Sequence, residues 1–429
     1  MKKYMLPKKE EWSEICARPT FDKNELTAQV NTVLESVKTS GDSAIQGFTK
    51  QFDGVDLKDF IVSENEIKKA SNTVSEDLKE AIQLAKANIE TFHRSQIELS
   101  EVIETMPGVQ CWRESAAIEK VGLYIPGGSA PLFSTILMLG IPASIAGCKE
   151  VILCTPPNKN CEINPAILYT AKLVGITQIF KIGGAQAIGA MAFGTETVPA
   201  VYKIFGPGNQ YVTKAKELIQ QQGVAIDMPA GPSEVLVIAD STCNPSFVAS
   251  DLLSQAEHGA DSQVILVSDD ANVLEKTNAA LLDQLERLPR MEIAKRALEN
   301  SKSILLGSIE ECMELSNYYA PEHLIIASEN PEHLSKSIVN AGSVFLGNYS
   351  CESAGDYASG TNHTLPTNGY ARNYSGVSLD SFVRKITFQK ISKTGIQAIG
   401  PAIELMAAAE ELFAHKNAVS IRLKALENV

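Results

Sequence analysis

From residue 121 the chain alternates short apolar runs with longer stretches whose apolar residues recur at every third or fourth position. The runs at 121–125, 151–155, 178–182, 202–205 and 224–228 read as strands, with helices at 165–174, 186–193 and 210–221. The stretch from about 130 to 148 carries no charge but includes Pro131, Gly140, Pro142 and Gly147, which suit a buried helix better than a membrane span. The pattern resumes with strands at 234–239, 264–267, 304–306, 324–327 and 344–346, and a helix at 247–258. Short apolar strands that alternate with helices make parallel β-α units covered on both faces.

The flanks have another texture. Residues 1 to about 20 form a polar arm with Trp12 and Pro19 as anchors, and 23–50 and 64–96 read as two helices. In the second, Ile67, Ala70, Val74, Leu78, Ile82 and Ala85 keep helical spacing behind a Ser63 N-cap. His93, near its end, is expected in a surface or capping role. Residues 101–118 suggest a hairpin around Pro107-Gly108. The stretch 347–376 is polar and Gly-rich, hence loop, and the Ala-rich tail from Gly400 is helical.

At 429 residues the chain exceeds what one core usually supports. The expected fold is α/β: two tandem Rossmann-like parallel-sheet units of similar topology, with a small N-terminal arm and a helical C-terminal appendage. The expected boundaries are 1–20 for the arm, 21–120 with 234–375 for the first domain, 121–233 for an inserted domain and 376–429 for a subunit-contacting tail.

A net charge of -13 without a Lys/Arg cluster argues against nucleic acid and anionic membranes, and favours a small-molecule ligand. The first ten residues lack the apolar core of a signal peptide. Eight scattered cysteines with no C-x-x-C pair make structural zinc and a disulfide framework unexpected, and point to the cytoplasm. Cys111 and Cys154 are read as small buried residues in preference to nucleophiles.

Candidate chemistry begins at Ala320-Pro321-Glu322-His323-Leu324, where an acid and an imidazole precede an apolar run. The pair is expected at the mouth of a buried strand, where open α/β sheets hold their ligands, and His beside a carboxylate can move protons near neutral pH. The same four letters recur at Pro331-Glu332-His333-Leu334, but there Asn330 and Pro331 open a helix, so that copy is expected to be an exposed first turn. Gln255 and His258 lie one turn apart at a helix end closed by Gly259, and two such atoms could share a metal. Asp356, His363, Glu410 and His415 lie in loop or tail segments. Of six histidines in all, four sit beside Gly, Pro, Glu or Asp in loops or helix ends. Their economical joint reading is a metal with mixed nitrogen and oxygen ligands plus a proton shuttle. Gly127-Gly128, Gly183-Gly184 and Gly206-Pro207-Gly208 each follow a strand and precede a helix. That placement suits phosphate, but tight turns also use glycine for steric reasons, and no G-x-G-x-x-G, P-loop, G-x-S-x-G or H-E-x-x-H is present.

Taken together, these motifs resemble the histidinol dehydrogenase family. The matching stretches are Val121-Gly122-Leu123-Tyr124-Ile125-Pro126-Gly127-Gly128, Gly183-Gly184-Ala185-Gln186, Phe205-Gly206-Pro207-Gly208-Asn209 and Gly231-Pro232-Ser233-Glu234. They continue with Leu253-Ser254-Gln255-Ala256-Glu257-His258-Gly259, the Glu322-His323 stretch, Asn362-His363-Thr364-Leu365-Pro366 and Ala414-His415-Lys416-Asn417. The resemblance implies a zinc-dependent, NAD-linked, four-electron oxidation of L-histidinol to L-histidine through the aldehyde, the last step of histidine biosynthesis. It implies one zinc per subunit held by Gln255, His258, Asp356 and His415, the last reaching the partner's site in a homodimer. It implies Tyr124, Gln186 and Asn209 as NAD contacts. Ser233, His363 and Glu410 would hold substrate alongside the metal ligands and His323. His323 would be the general base, and Glu322 would activate the water that attacks the aldehyde. Two rivals stand beside this: a zinc hydrolase that ignores NAD, and a non-catalytic α/β binding protein.

Overall fold

The computed structural model describes residues 1–18, 23–127 and 130–427. Pro19 of the arm and Gly128 and Ser129 of the first glycine turn lie outside the described residues. Contacts divide the chain into two units: Met1–Ser95 with Ile118–Ser381, and Gln96–Ala117 with Phe382–Val429.

The first unit holds two parallel sheets. One orders its strands as Gln178–Phe180, Glu150–Cys154, Lys120–Tyr124, Lys203–Phe205 and Ala225–Ile226. The other orders Lys302–Leu305, Gln263–Ser268, Glu234–Ala239, His323–Ala327 and Ser343–Leu346, with Lys2–Met5 added beside Lys302–Leu305. Counted in chain order, the two share the arrangement 3-2-1-4-5, the first part of the doubly wound order. The expected tandem of similar α/β lobes is therefore present.

The continuous apolar runs have a direct cause: Glu234–Ala239 and His323–Ala327 are buried at every position. Along the first, Val235, Val237 and Ala239 pack on one side with Leu252 and Leu266, while Leu236 and Ile238 pack on the other with Trp12 and Tyr319. In the other lobe, Val37 and Ile45 of helix Lys23–Phe48 share a core with Ile188 and Met191 of helix Gly184–Phe193. Each such buried side chain contributes roughly 1.5–3 kcal/mol. The charge-free stretch forms helix Phe133–Ala146, buried through most of its length. No helix among the described residues is long and apolar enough to cross a membrane.

The turn at Gly206 is held from both sides. Gly206 has φ +130°, and a Cβ there would lie 2.0 Å from the Tyr124 carbonyl oxygen. Its N–H donates to Asp227 Oδ2 at 2.8 Å, and Lys216 Nζ donates to its carbonyl at 2.8 Å. Lys216 and Asp227 pair with each other, both side chains almost fully buried.

Four local expectations change. The stretch 64–96 is two helices, Glu64–Thr73 and Glu76–Arg94, because Ser75 caps the second by accepting from Leu78 N. His93 is fully buried, contrary to a surface role: its Nδ1 lies 2.8 Å from Ile89 O and its Nε2 3.4 Å from Asn362 Nδ2. The polar segment after Gly347 contains helix Glu352–Tyr357. Strand Val383–Ile391, which the pattern did not announce, pairs antiparallel with Val109–Ala117. That sheet, with the expected hairpin Ile103–Met106 and Val109–Ala117 and helices Lys393–Ala409 and Phe413–Glu427, forms the second unit.

Candidate active site

Three local structures converge at the amino edge of the six-stranded sheet. Helix Pro245–Ala256 starts with Asn244 accepting from Ser246 N at 3.0 Å and runs back to that edge. It leaves one atom of the buried Gln255 amide 3.3 Å from Nδ1 of the exposed His258. Helix Glu352–Tyr357 puts Glu352 and Asp356 one turn apart on one face. Helix Ile309–Tyr319 ends at Ala320, held at φ +55°, and Pro321 bars its continuation. The chain then turns through Glu322 into the strand that His323 begins.

His323 is the centre of the group. Its Nδ1 is 3.3 Å from the Glu234 carbonyl oxygen, 3.7 Å from Glu322 Oε2 and 3.9 Å from Glu352 Oε1, and its Nε2 is 3.7 Å from Asp356 Oδ1. Glu322 Oε2 accepts from Glu234 N at 2.8 Å. His363 Nδ1 lies 2.9 Å from the Asp356 carbonyl oxygen. His363 Nε2 lies 3.0 Å from Thr135 Oγ1, on the first turn of helix Phe133–Ala146, and so links the two lobes. Ser233 immediately precedes strand Glu234–Ala239, and its carbonyl accepts from Gln263 N at 3.1 Å.

Burial dominates the electrostatics. It lowers the His323 imidazole to about 3, with His258 and His363 adding to the effect, and lowers His363 to about 4. Burial also raises Asp356 and Asp251 to about 7 and pushes Glu322 and Glu352 well above the carboxylate range. Neighbouring carboxylates add to that shift, Glu234 and Asp356 for Glu322, and Asp356 and Glu322 for Glu352. Among the described residues, Glu322, Glu352 and Asp356 form ion pairs only with histidines. His258, Glu352 and Asp356 each bring a donor atom within 4.8 Å of the others, and Gln255 adjoins them. Donors on one tetrahedral zinc, each about 2.1 Å from it, stand about 3.4 Å apart. The mixed N/O donor set fits a divalent cation.

The other lobe offers its carboxyl edge. Tyr124 ends its strand, and its hydroxyl accepts from Gly184 N at 3.0 Å. Gln186, in the first turn of helix Gly184–Phe193, is buried with both amide atoms unpartnered among the described residues. Asn209 caps helix Gln210–Gln220, accepting from Tyr211 N and Val212 N at 3.1 and 3.2 Å. Tyr124 and Asn209 flank the point where the strand order reverses, the usual place for a nucleotide.

Glu322 precedes its strand and His323 begins it, so both lie at the amino end, whereas ligand sites of open sheets lie outside the carboxyl ends. The strand-mouth expectation is corrected to that extent: the pair sits at the amino edge of its sheet. Glu410 and His415 are exposed residues of the second unit, at the end of one helix and in the next. The duplicate Glu332-His333 is exposed on helix Pro331–Ser335. His333→Ala is expected to leave the turnover rate and the melting temperature within error of the parent, as steady-state assays and thermal unfolding would check.

Two participants were missed. Glu352 pairs with Asp356 at i, i+4, a signal hidden by reading the segment as loop. Arg18 donates through Nε and Nη2 to Glu234 at 2.5 and 2.9 Å, and nothing in the sequence links residues so far apart.

Comparison with known proteins gives one answer. The family model described as histidinol dehydrogenase matches residues 16–423. A histidinol dehydrogenase of Bacteroides thetaiotaomicron is 58% identical over the full length of both chains. One of Escherichia coli strain K12 is 52% identical over 97% of this chain and 96% of its own. The crystal structure of histidinol dehydrogenase from Elizabethkingia anophelis superposes with a TM-score of 0.98 at 63% identity, covering 100% of this chain and 99% of that one. The chain therefore belongs to the histidinol dehydrogenase family of NAD-dependent oxidoreductases.

Proposed function

We propose that the chain oxidises L-histidinol to L-histidine through the aldehyde, with zinc and NAD, as the last step of histidine biosynthesis. The observation that carries the reading is His323: one buried imidazole within 3.7–3.9 Å of three carboxylates, two of them in the candidate metal group. The family match and the unpartnered Gln186 amide support it.

Gln255, His258 and Asp356 would hold zinc, and a second copy of the chain would supply His415. Bound there, zinc would orient the substrate's amine and imidazole, with Lewis acidity secondary. Tyr124, Gln186 and Asn209, in an NAD-side domain of residues 121–233, would hold the nicotinamide cofactor, which accepts hydride. Ser233, His363 and Glu410 would fix the substrate. His323, neutral because burial disfavours its charged form, would take the alcohol proton in each oxidation. Glu322 would take a proton from the water that adds to the aldehyde, and that water supplies the second carboxylate oxygen. Residues 376–429 would serve the homodimer contact, and the cytoplasm is the proposed location.

Zinc-loaded protein mixed with excess NAD and limiting L-histidinol is expected to form two NADH per substrate. Chelation should abolish the signal and zinc restore it. One NADH would stop the reaction at the aldehyde and remove the role given to Glu322. None, with zinc bound, would overturn the dehydrogenase reading in favour of a hydrolase.

A further inference from the structure

We infer that Glu352 is a positioning residue that sets the sense of the Gln255 amide, turning its oxygen toward the metal. The inference rests on the zinc reading above. Glutamine is an awkward metal ligand because only its oxygen coordinates, and the NH2 on the same carbon must face an acceptor. Gln255 is fully buried, so an unpartnered NH2 could not turn to water.

The surroundings of the amide decide its sense. Glu352 presents both carboxylate oxygens to one of its two atoms, and His258 Nδ1 stands 3.3 Å from the other. With the oxygen toward an ionised Glu352, the form a cation beside it would favour, oxygen would face oxygen. With the NH2 toward Glu352, it donates to Oε2 at 3.1 Å and to Oε1 as well, and the carbonyl oxygen adjoins the His258 imidazole. Glu352 is itself fixed: its side chain is almost fully buried, Ser254 Oγ donates to Oε2 at 3.3 Å, and it shares a helical face with Asp356. One short helix thus supplies both a ligand and the group that orients another.

The test separates orientation from coordination. At a site where residue 255 served only as an oxygen donor, Gln255→Glu would bind zinc at least as well. Here it would set two buried carboxylates against each other. The experiment is competition of each apo-protein with a chromophoric chelator for zinc, plus the absorption spectrum of the Co(II)-loaded form and circular dichroism of the apo-forms. Gln255→Glu and Glu352→Ala are expected to weaken zinc binding ~10–100-fold and alter the cobalt bands. Glu352→Gln should stay close to the parent, because its carbonyl oxygen still accepts from Gln255. The double change Gln255→Glu with Glu352→Gln should recover binding, because the donor and acceptor exchange places. Parent-like affinity in Gln255→Glu, or Glu352→Gln as weak as Glu352→Ala, would overturn the assignment. A parent chain that takes up no zinc would overturn the metal reading itself.

Discussion

Replacing His323 with Ala is expected to lower kcat by ~10²–10⁴-fold, the usual contribution of a positioned acid-base group, while the protein still binds zinc. The reasoning is geometric. His323 is the first residue of a central strand, and the Glu234 carbonyl and three carboxylates converge on its ring. No second imidazole has the same position, because His363 is held between Asp356 O and Thr135 Oγ1. Glu322→Gln should act on a different step. The first hydride transfer would survive, the aldehyde would accumulate, and NADH per substrate would fall from two toward one. Zinc content by elemental analysis, the melting temperature and single-turnover NADH formation check these results. Parent-like rates in both variants would remove both residues from the chemistry.

The largest expected loss of stability comes from Lys216→Met. Lys216 and Asp227 form an ion pair with side chains 5% and 1% exposed, and together they clamp Gly206. Removing the cation leaves the Asp227 carboxylate buried and unneutralised, which costs about 3–5 kcal/mol. Asp227→Asn removes the opposite charge and should cost a similar amount. The pair Lys216→Met with Asp227→Leu should cost less than the sum, because no lone charge remains and only the Gly206 contacts are lost. Thermal and denaturant unfolding of the three variants measure this. A Lys216→Met protein that melts with the parent would show that water reaches Asp227.

Much of the fold was legible because burial on both faces forces the strands to be apolar throughout. That is why both lobes could be marked from runs such as Leu324-Ile325-Ile326. Strand Val383–Ile391 escaped because it is exposed along most of its length and carries Arg384, Lys385 and Lys390, so no apolar run marks it. Gln255 and His258 were legible as a pair because helical spacing brings them together. Glu352 was not, since its importance depends on a helix formed within a Gly-rich polar stretch. Arg18 was out of reach, because its partner Glu234 is set by tertiary packing and not by spacing. The buried His93 was misjudged because its partner Asn362 comes from a distant loop.

The residues proposed for chemistry on the six-stranded sheet gather at its amino edge, away from the loops of the opposite edge. The connections at 240–244, 269–270 and 328–330 leave the carboxyl ends of its strands, where no proposed site residue lies. Insertions or a grafted fluorophore are expected to be tolerated better there than at the amino edge, provided that the caps Asn244 and Asp270 are kept, because the first of them starts the helix that carries Gln255.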